Sequence, residues 1–440
     1  MIKLKNNEHY YEKSAMNVPV LMMPKKDIDM KKWSVVACDQ YTSQADYWND
    51  VENIVNQDES TYKLILPEIF LEDDDTDNRI LNINKTMQNY VEKGVLQPQE
   101  PSLMLVERKT NLSPARKGLI MAVDLEKYDF TKGSGSLIRA TEGTVLDRIP
   151  PRMKIRKDAF IETPHIMLLI DDPEKTVVEP IAQAAKDGVF GNPAYDFELM
   201  MNGGHIKGYQ IFDEAIQNQI SSALEKLAQP DTFHLKYNIP SDIPVLLFAV
   251  GDGNHSLASA KSHWEQVKKL SDDKMHPARF ALVEVLNVHD EGLVFEPIHR
   301  VMFGLDSNKF LDGLKKYFGE KVSIEGKIPQ SWHSVPFITS NKKGTIAFDA
   351  SIHTLAVGAL QEYIDYFTTQ NTSVTTDYIH GDEVVTKLAT QSGNMGFFLP
   401  AMDKNHLFKT VILNGALPRK TFSMGEAEEK RFYLECREII

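Results

Sequence analysis

The segment Val245-Leu246-Leu247-Phe248-Ala249-Val250-Gly251-Asp252-Gly253-Asn254-His255-Ser256 runs from an unbroken apolar stretch through a glycine-flanked acid into a helical pattern. Leu257, Ala260, Trp264, Val267 and Leu270 recur at three- and four-residue steps and predict one buried helical stripe. The turn at Gly251 to Ser256 therefore joins a strand to a helix N-terminus. The first N–H groups of a helix have no intrahelical acceptor and carry the positive end of its dipole, so a phosphate or carboxylate can be held there without a cationic side chain. Asp252 and His255 would stand beside that anion. The same residues equally suit a plain junction in which Gly251 and Gly253 shape a tight turn and Asn254 or Ser256 caps the helix.

A chain of 440 residues with 42% hydrophobic content can bury a full core, and its length favours two or three packed units. Lys and Arg number 49 against 62 Asp and Glu, a net charge of −13. That balance disfavours a nucleic-acid partner, whose binding depends on neutralising phosphates. Cys38 and Cys436 are the only cysteines and lie far apart, which excludes a disulfide framework or a cysteine-rich zinc site. Met1-Ile2-Lys3-Leu4-Lys5 has no apolar signal core and no segment has the length of a membrane span, so the expectation is a cytoplasmic protein without a membrane partner.

Strand-like and helix-like runs alternate, which predicts an α/β, mixed α+β, architecture. Strands are expected at Trp33–Cys38, Leu103–Val106, Gly118–Val123, His165–Ile170 and Phe280–Leu286. Helices are expected through Tyr47 to Ile54, from Pro180 to Lys186 and from Glu214 to Leu227, with a loop-rich passage from Pro230 to Pro240. After Arg300 the pattern restarts, with a helix over Phe310–Phe318, strands near Val322 and Thr345, a helix over Val384–Leu388 and a strand at Gly396–Leu399. The expected division is a main α/β domain, 1–305, carrying the phosphate-binding turn, and a smaller C-terminal α/β unit, 306–440, packed on it.

Positive charge concentrates in Arg139-Ala140-Thr141-Glu142-Gly143-Thr144-Val145-Leu146-Asp147-Arg148-Ile149-Pro150-Pro151-Arg152 and just beyond. Arg152, Lys154 and Arg156 alternate with Met153 and Ile155, so an extended strand would present three cations on one face. Such a face meets phosphate oxygens well, although a salt-bridged edge strand has the same pattern. Glu142 and Asp147 are candidates for a general base or a magnesium ligand.

Smaller polar motifs remain. Asn202-Gly203-Gly204-His205-Ile206-Lys207-Gly208 reads as a glycine-rich loop, either simply flexible or closing over a ligand. Glu296-Pro297-Ile298-His299-Arg300 sets an imidazole beside a guanidinium, and Leu417-Pro418-Arg419-Lys420 adds a C-terminal basic pair. Histidines at zinc-site spacing, a Gly-x-Ser-x-Gly elbow and a Walker-type loop are all absent from the sequence.

The order Leu105-Val106-Glu107-Arg108, Arg116-Lys117-Gly118-Leu119-Ile120, Arg139-Ala140-Thr141-Glu142-Gly143-Thr144, Asp147-Arg148, Gly251-Asp252-Gly253-Asn254-His255-Ser256, Glu296-Pro297-Ile298-His299-Arg300 and Leu417-Pro418-Arg419-Lys420 resembles Domain of Unknown Function one-thousand-fifteen over nearly the whole chain. That family's Asp-Gly-His-His-Arg segment is similar to the phosphate-binding loop of the ParB/sulfiredoxin-like superfamily, which includes nucleotide-dependent free serine kinases. The resemblance implies a ParB/sulfiredoxin-like core with large insertions. It also implies that Gly251, Gly253, Asn254 and Ser256 hold nucleotide phosphates, that Asp252 places a metal or the reacting groups, and that His255 touches the transferred phosphoryl group. Two positions depart from the motif: Asn254 stands in place of its first His and Ser256 in place of its Arg. With that Arg gone, either Arg148, Arg152, Arg300 or Lys420 substitutes as the cation, with His299 also binding phosphate or nucleotide, or the site no longer transfers phosphate. Ala37-Cys38-Asp39-Gln40-Tyr41 likewise replaces the Ala-Pro-Pro-Tyr-Asp of many relatives, which implies altered substrate choice.

The leading expectation is a Mg-dependent small-molecule kinase using ATP or ADP, with L-serine as the most specific acceptor and a homo-oligomer as the assembly. Phosphoryl transfer needs alignment and charge neutralisation more than covalent protein chemistry. Glu142 is the first choice for the base and Asp252 the alternative, with Asp252 and Asp147 as magnesium ligands. A nucleotide- or metabolite-binding protein without turnover and a phosphoester hydrolase are the competing expectations.

Overall fold

The computed structural model describes residues 2–3, 8–42, 44–144, 146, 149–326 and 328–440. The chain packs as two compact units. One comprises Met1–Val294 with Phe408–Ala416 and Ala427–Ile440; the other comprises Phe295–Leu407 with Leu417–Glu426. The architecture is mixed α/β, with helices interspersed between the strands of two main sheets.

Among the described residues the first unit carries a 12-stranded mixed sheet. Arg116–Asp124 pairs antiparallel with Phe280–Asn287, which runs parallel to Met167–Ile170. Met167–Ile170 is antiparallel to Phe248–Asp252, and Phe248–Asp252 is parallel to Ile138–Ala140. On the other flank Arg116–Asp124 pairs with Leu103–Lys109, and that strand with His205–Ile211. These central strands are near-continuous apolar runs because both faces of the sheet are covered. Successive side chains point to opposite faces, and the two cores divide accordingly: Leu105, Leu119 and Met121 enter one, Met104, Val106 and Ile120 the other.

The last residues are stitched into this unit. Phe432–Tyr433 pairs with Val35–Val36, and Arg437–Glu438 with Ile161–Glu162. The second unit is built on a six-stranded antiparallel sheet among the described residues, ordered Val322–Ile324, Lys343–Asp349, Trp332–Thr339, Asn394–Phe397, His299–Phe303, Thr375–Ile379. The helices Ser307–Phe318 and Ala356–Gln370 bury Phe310, Leu314, Leu360 and Tyr363 in the core of that unit.

Five local expectations are corrected. Arg152, Lys154 and Arg156 lie on a helix, Ile149–Lys157, not a strand. Pro150 and Pro151 fall in its first turn, where a missing N–H costs nothing. The glycine-rich loop is confined to Asn202 to Gly204: from His205 onward the chain is the strand His205–Ile211, and His205 and Lys207 both pair with Asp196 at 2.8 and 3.2 Å. The passage after Pro230 holds the helix Pro230–Tyr237, with proline again at its start. Leu270 is 90% exposed because the helix that begins at Asn254 ends at Val267. Of the expected strand Trp33–Cys38 only Val35–Val36 is a strand, since Met30–Trp33 forms a helical turn capped by Asp29.

Candidate active site

The strand Phe248–Asp252 ends in the acid itself, and Asn254 opens the helix Asn254–Val267. The junction between them is Gly253, at φ +79°, a left-handed conformation that glycine enters without Cβ strain. A Cβ there would lie 3.0 Å from the Ile166 Cα. The neighbouring strand pairs Leu168 with Val250 and Met167 with Asp252, which leaves Gly251 as the extra residue of a bulge. The helix is fixed to the sheet by Leu257, Ala260 and Trp264, all buried in the core.

Ile138–Ala140 runs parallel to Phe248–Asp252, with Ala140 opposite Val250. Both strands therefore end at the same edge of the sheet. Beyond them Thr141 donates its hydroxyl to the Val250 carbonyl at 2.6 Å and its N–H to Asn254 Oδ1 at 3.3 Å. Glu142 follows directly and is half-buried. Two acids, Glu142 and Asp252, thus come from the ends of adjacent parallel strands beside a helix N-terminus. Asn254 is buried and ties the two strand ends together, which gives the residue at that position a structural task.

The Asp252 carboxylate accepts from the Gly253 N–H at 2.9 Å on Oδ1 and from Lys430 Nζ at 3.0 Å on Oδ2. Lys430 is buried, and three successive carbonyls fix the chain around it. Arg108 donates to the Glu428 carbonyl at 2.8 Å and to that of Lys430 at 3.4 Å, and Arg116 donates to that of Glu429 at 3.1 Å. Burial, with Arg116 close by, lowers the Arg108 pKa to about 9. Arg431 continues the network, pairing with Glu284 at 3.2 Å and with Glu435. Each carboxylate oxygen of Asp252 carries one hydrogen bond and keeps a lone pair, so it suits a Mg²⁺ ion that takes its other ligands from water and phosphate. Among the described residues no group of three or more His, Cys, Asp or Glu side chains is disposed to hold a metal by itself.

The other expected site residues are placed as follows. His255 sits in the first turn of the helix, half-buried, its carbonyl accepting from Ser259. Ser256 Oγ lies 3.1 Å from His165 Nε2. Arg152 pairs with Glu68. Asp147 and Arg148 lie outside the described residues. His299, Arg300 and Lys420 belong to the second unit. There His299 accepts the Leu399 N–H on Nδ1 at 3.0 Å, so its proton is on Nε2, 2.9 Å from Asp382. Burial lowers its pKa despite that carboxylate. Arg300 is fully buried and donates to the Lys420 and Arg419 carbonyls at 2.8 and 2.9 Å.

The family profile described as "Protein of unknown function (DUF1015)" matches residues 22–381. The chain belongs to this family. In this DUF1015 member the paired arginines Arg108 and Arg116 and the turn at Asp252 meet through the C-terminal segment at Lys430. No curated protein matches the sequence. Among solved structures the chain is similar to a conserved hypothetical protein from Pyrococcus furiosus, with TM-score 0.35 and 14% identity over 72% of this chain and 90% of that one. It is similar to a free serine kinase in complex with AMP, with TM-score 0.38 and 11% identity over 73% of this chain and 91% of that one. SbnI with C-terminal truncation from Staphylococcus aureus is similar at TM-score 0.36 and 9% identity, over 70% of this chain and 82% of that one. Likenesses of this extent carry nothing about activity.

Sequence reasoning missed Lys430, His165 and Tyr433. Lys430 and Tyr433 lie in a charged and aromatic C-terminal stretch with no motif, 178 residues beyond Asp252 in the case of Lys430. The clue available was Glu428-Glu429-Lys430-Arg431, a dense charge run beside the apolar Phe432-Tyr433-Leu434, where a solvated tail would lack the apolar residues.

Proposed function

We propose that this protein binds the phosphates of a nucleotide at Gly253 to Ser256 and transfers a phosphoryl group to a hydroxyl-bearing small molecule. The observation that carries this reading is the shared edge of the parallel strands Ile138–Ala140 and Phe248–Asp252, with Glu142, Asp252 and the first turn of a helix beside it. Adjacent parallel strands that end together beside a helix N-terminus form the usual crevice for anionic ligands in α/β sheets. Lys430 supplies the cation that Ser256 in place of Arg removes from the turn. It is a point charge suited to a phosphate oxygen.

Glu142 would accept the proton of the acceptor hydroxyl, while the helix N–H groups and Lys430 hold the phosphate in line. Asp252 would hold Mg²⁺, which neutralises phosphate charge when bound. His255, next to the turn, would contact the transferred group. Arg152, His299 and Arg300 are engaged by Glu68, Asp382 and main-chain carbonyls within their own units, whereas Lys430, paired with Asp252, stands at the turn itself, so Lys430 takes the cationic role in this proposal. L-Serine is the first acceptor to try.

The test is incubation of the purified protein with ATP or ADP, Mg²⁺ and a pool of hydroxyl metabolites, followed by ³¹P NMR. A phosphorylated metabolite is the expected product. Free phosphate alone would make the protein a hydrolase, and nucleotide binding without any product would make it a switch.

A further inference from the structure

Behind the first turn of the helix Asn254–Val267 lies a cavity of about 140 Å³ within the first unit. Leu64, Leu66, Met87, Ile155 and Ile161 form the apolar part of its wall, and Glu68, Arg152, Arg156 and Glu162 also line it. One end is polar and presents His165, Ser256 and Tyr433. The Tyr433 hydroxyl accepts the Cys38 N–H at 3.1 Å and lies 2.6 Å from His165 Nδ1. Burial drives the Tyr433 pKa far above its ordinary value, so the phenol keeps its proton. With the protonated phenol donating to Nδ1, the His165 proton is on Nε2, which lies 3.1 Å from Ser256 Oγ and 3.9 Å from Asp39 Oδ2. The Ser256 hydroxyl proton is then available to a ligand atom.

The charges around the cavity are matched inside the protein. Arg152 pairs with Glu68, and Arg156 with Glu162 at 2.7 Å. Burial pushes the Glu162 carboxyl up, but Arg156 and Arg437 outweigh it and hold it below the usual range. A carboxylate ligand would therefore compete with existing partners, whereas a neutral head group would not. Apolar walls with a few convergent polar groups at one end are the common design of small-molecule pockets. In size the cavity is near the roughly 150 Å³ of an apolar cavity that takes up benzene.

We infer that this cavity binds a small neutral alcohol with a compact apolar body, its oxygen accepting from Ser256 beside His165. This pocket rests on its own geometry and does not require phosphoryl transfer at the neighbouring turn.

Benzyl alcohol is the probe, with toluene and benzoate as controls, titrated into the full-length protein with ring-labelled histidine. His165→Gln assigns the His165 ring signal by its disappearance. The expected result is a saturable shift of that signal with benzyl alcohol, and binding at least about tenfold weaker for toluene, which lacks the hydroxyl, and for benzoate. Ala159→Phe, which places a ring in the cavity wall, should abolish the benzyl alcohol shift. If that variant does not fold, the three ligands on the unaltered protein decide. No saturable shift, equal affinity for toluene, or tighter binding of benzoate would each overturn the inference. ADP affinity measured on the same samples keeps the two sites apart, because either can fail while the other holds.

Discussion

Lys430 Nζ stands 3.0 Å from Asp252 Oδ2, joining the C-terminal segment to the strand end 178 residues earlier. The lysine is 7% exposed and the aspartate 23%, so removing either partner leaves the other charge poorly solvated. Lys430→Met should lower stability by about 1–3 kcal/mol. Lys430→Met combined with Asp252→Asn should lose less than the sum of the two single changes. Urea melts of the three variants measure this. Additive losses would mean that the pair is not coupled.

Gly253 tests the turn. Its φ of +79° and the 3.0 Å approach of Ile166 Cα leave little room for a side chain. Gly253→Val should cost on the order of 1–3 kcal/mol and abolish anion binding together. Gly253→Ala is the more informative variant, because it retains more of the fold. Unchanged ADP affinity in folded Gly253→Ala would remove the turn from the binding site.

Glu142 and Asp252 should give different phenotypes. Glu142→Gln should keep nucleotide binding and lower turnover by about 10²–10⁴-fold, as expected for loss of a general base. Asp252→Asn should weaken magnesium-dependent nucleotide binding. Isothermal titration with and without Mg²⁺, beside a turnover assay, separates them. The reverse pattern would exchange the two roles.

His263 sets a pH dependence. Burial, and next to it Arg156, lowers its pKa from 6.5 to about 4. Between those values the unfolded chain binds the proton and the folded chain does not, so stability is full above about pH 6.5 and declines as pH falls towards 4. His263→Phe should flatten this slope in denaturant midpoints measured from pH 6.5 to 4.5. An unchanged slope would assign the acid sensitivity to other groups.

The strand–turn–helix at Val245 to Val267 was legible because apolar continuity, glycine and helical spacing change over within a few residues. The buried strands at Leu103, Gly118 and Phe280 were legible for the same reason. The helix at Ile149–Lys157 was not, since alternation of Arg152, Lys154 and Arg156 mimics a strand when the prolines before it are passed over. Lys430 was hidden more deeply. Its partner Asp252 and its supports Arg108 and Arg116 meet it only through tertiary pairing, which no local spacing encodes.

The most direct measurement is a titration of the full-length protein, selectively ¹⁵N-labelled at glycine, asparagine and serine, with ADP and Mg²⁺. The amide signals of Gly253, Asn254 and Ser256 should shift together and saturate, and Lys430→Met should weaken that response about tenfold or more. Saturable ADP binding that leaves these three amides unmoved would contradict the phosphate site, as would an identical response in folded Lys430→Met.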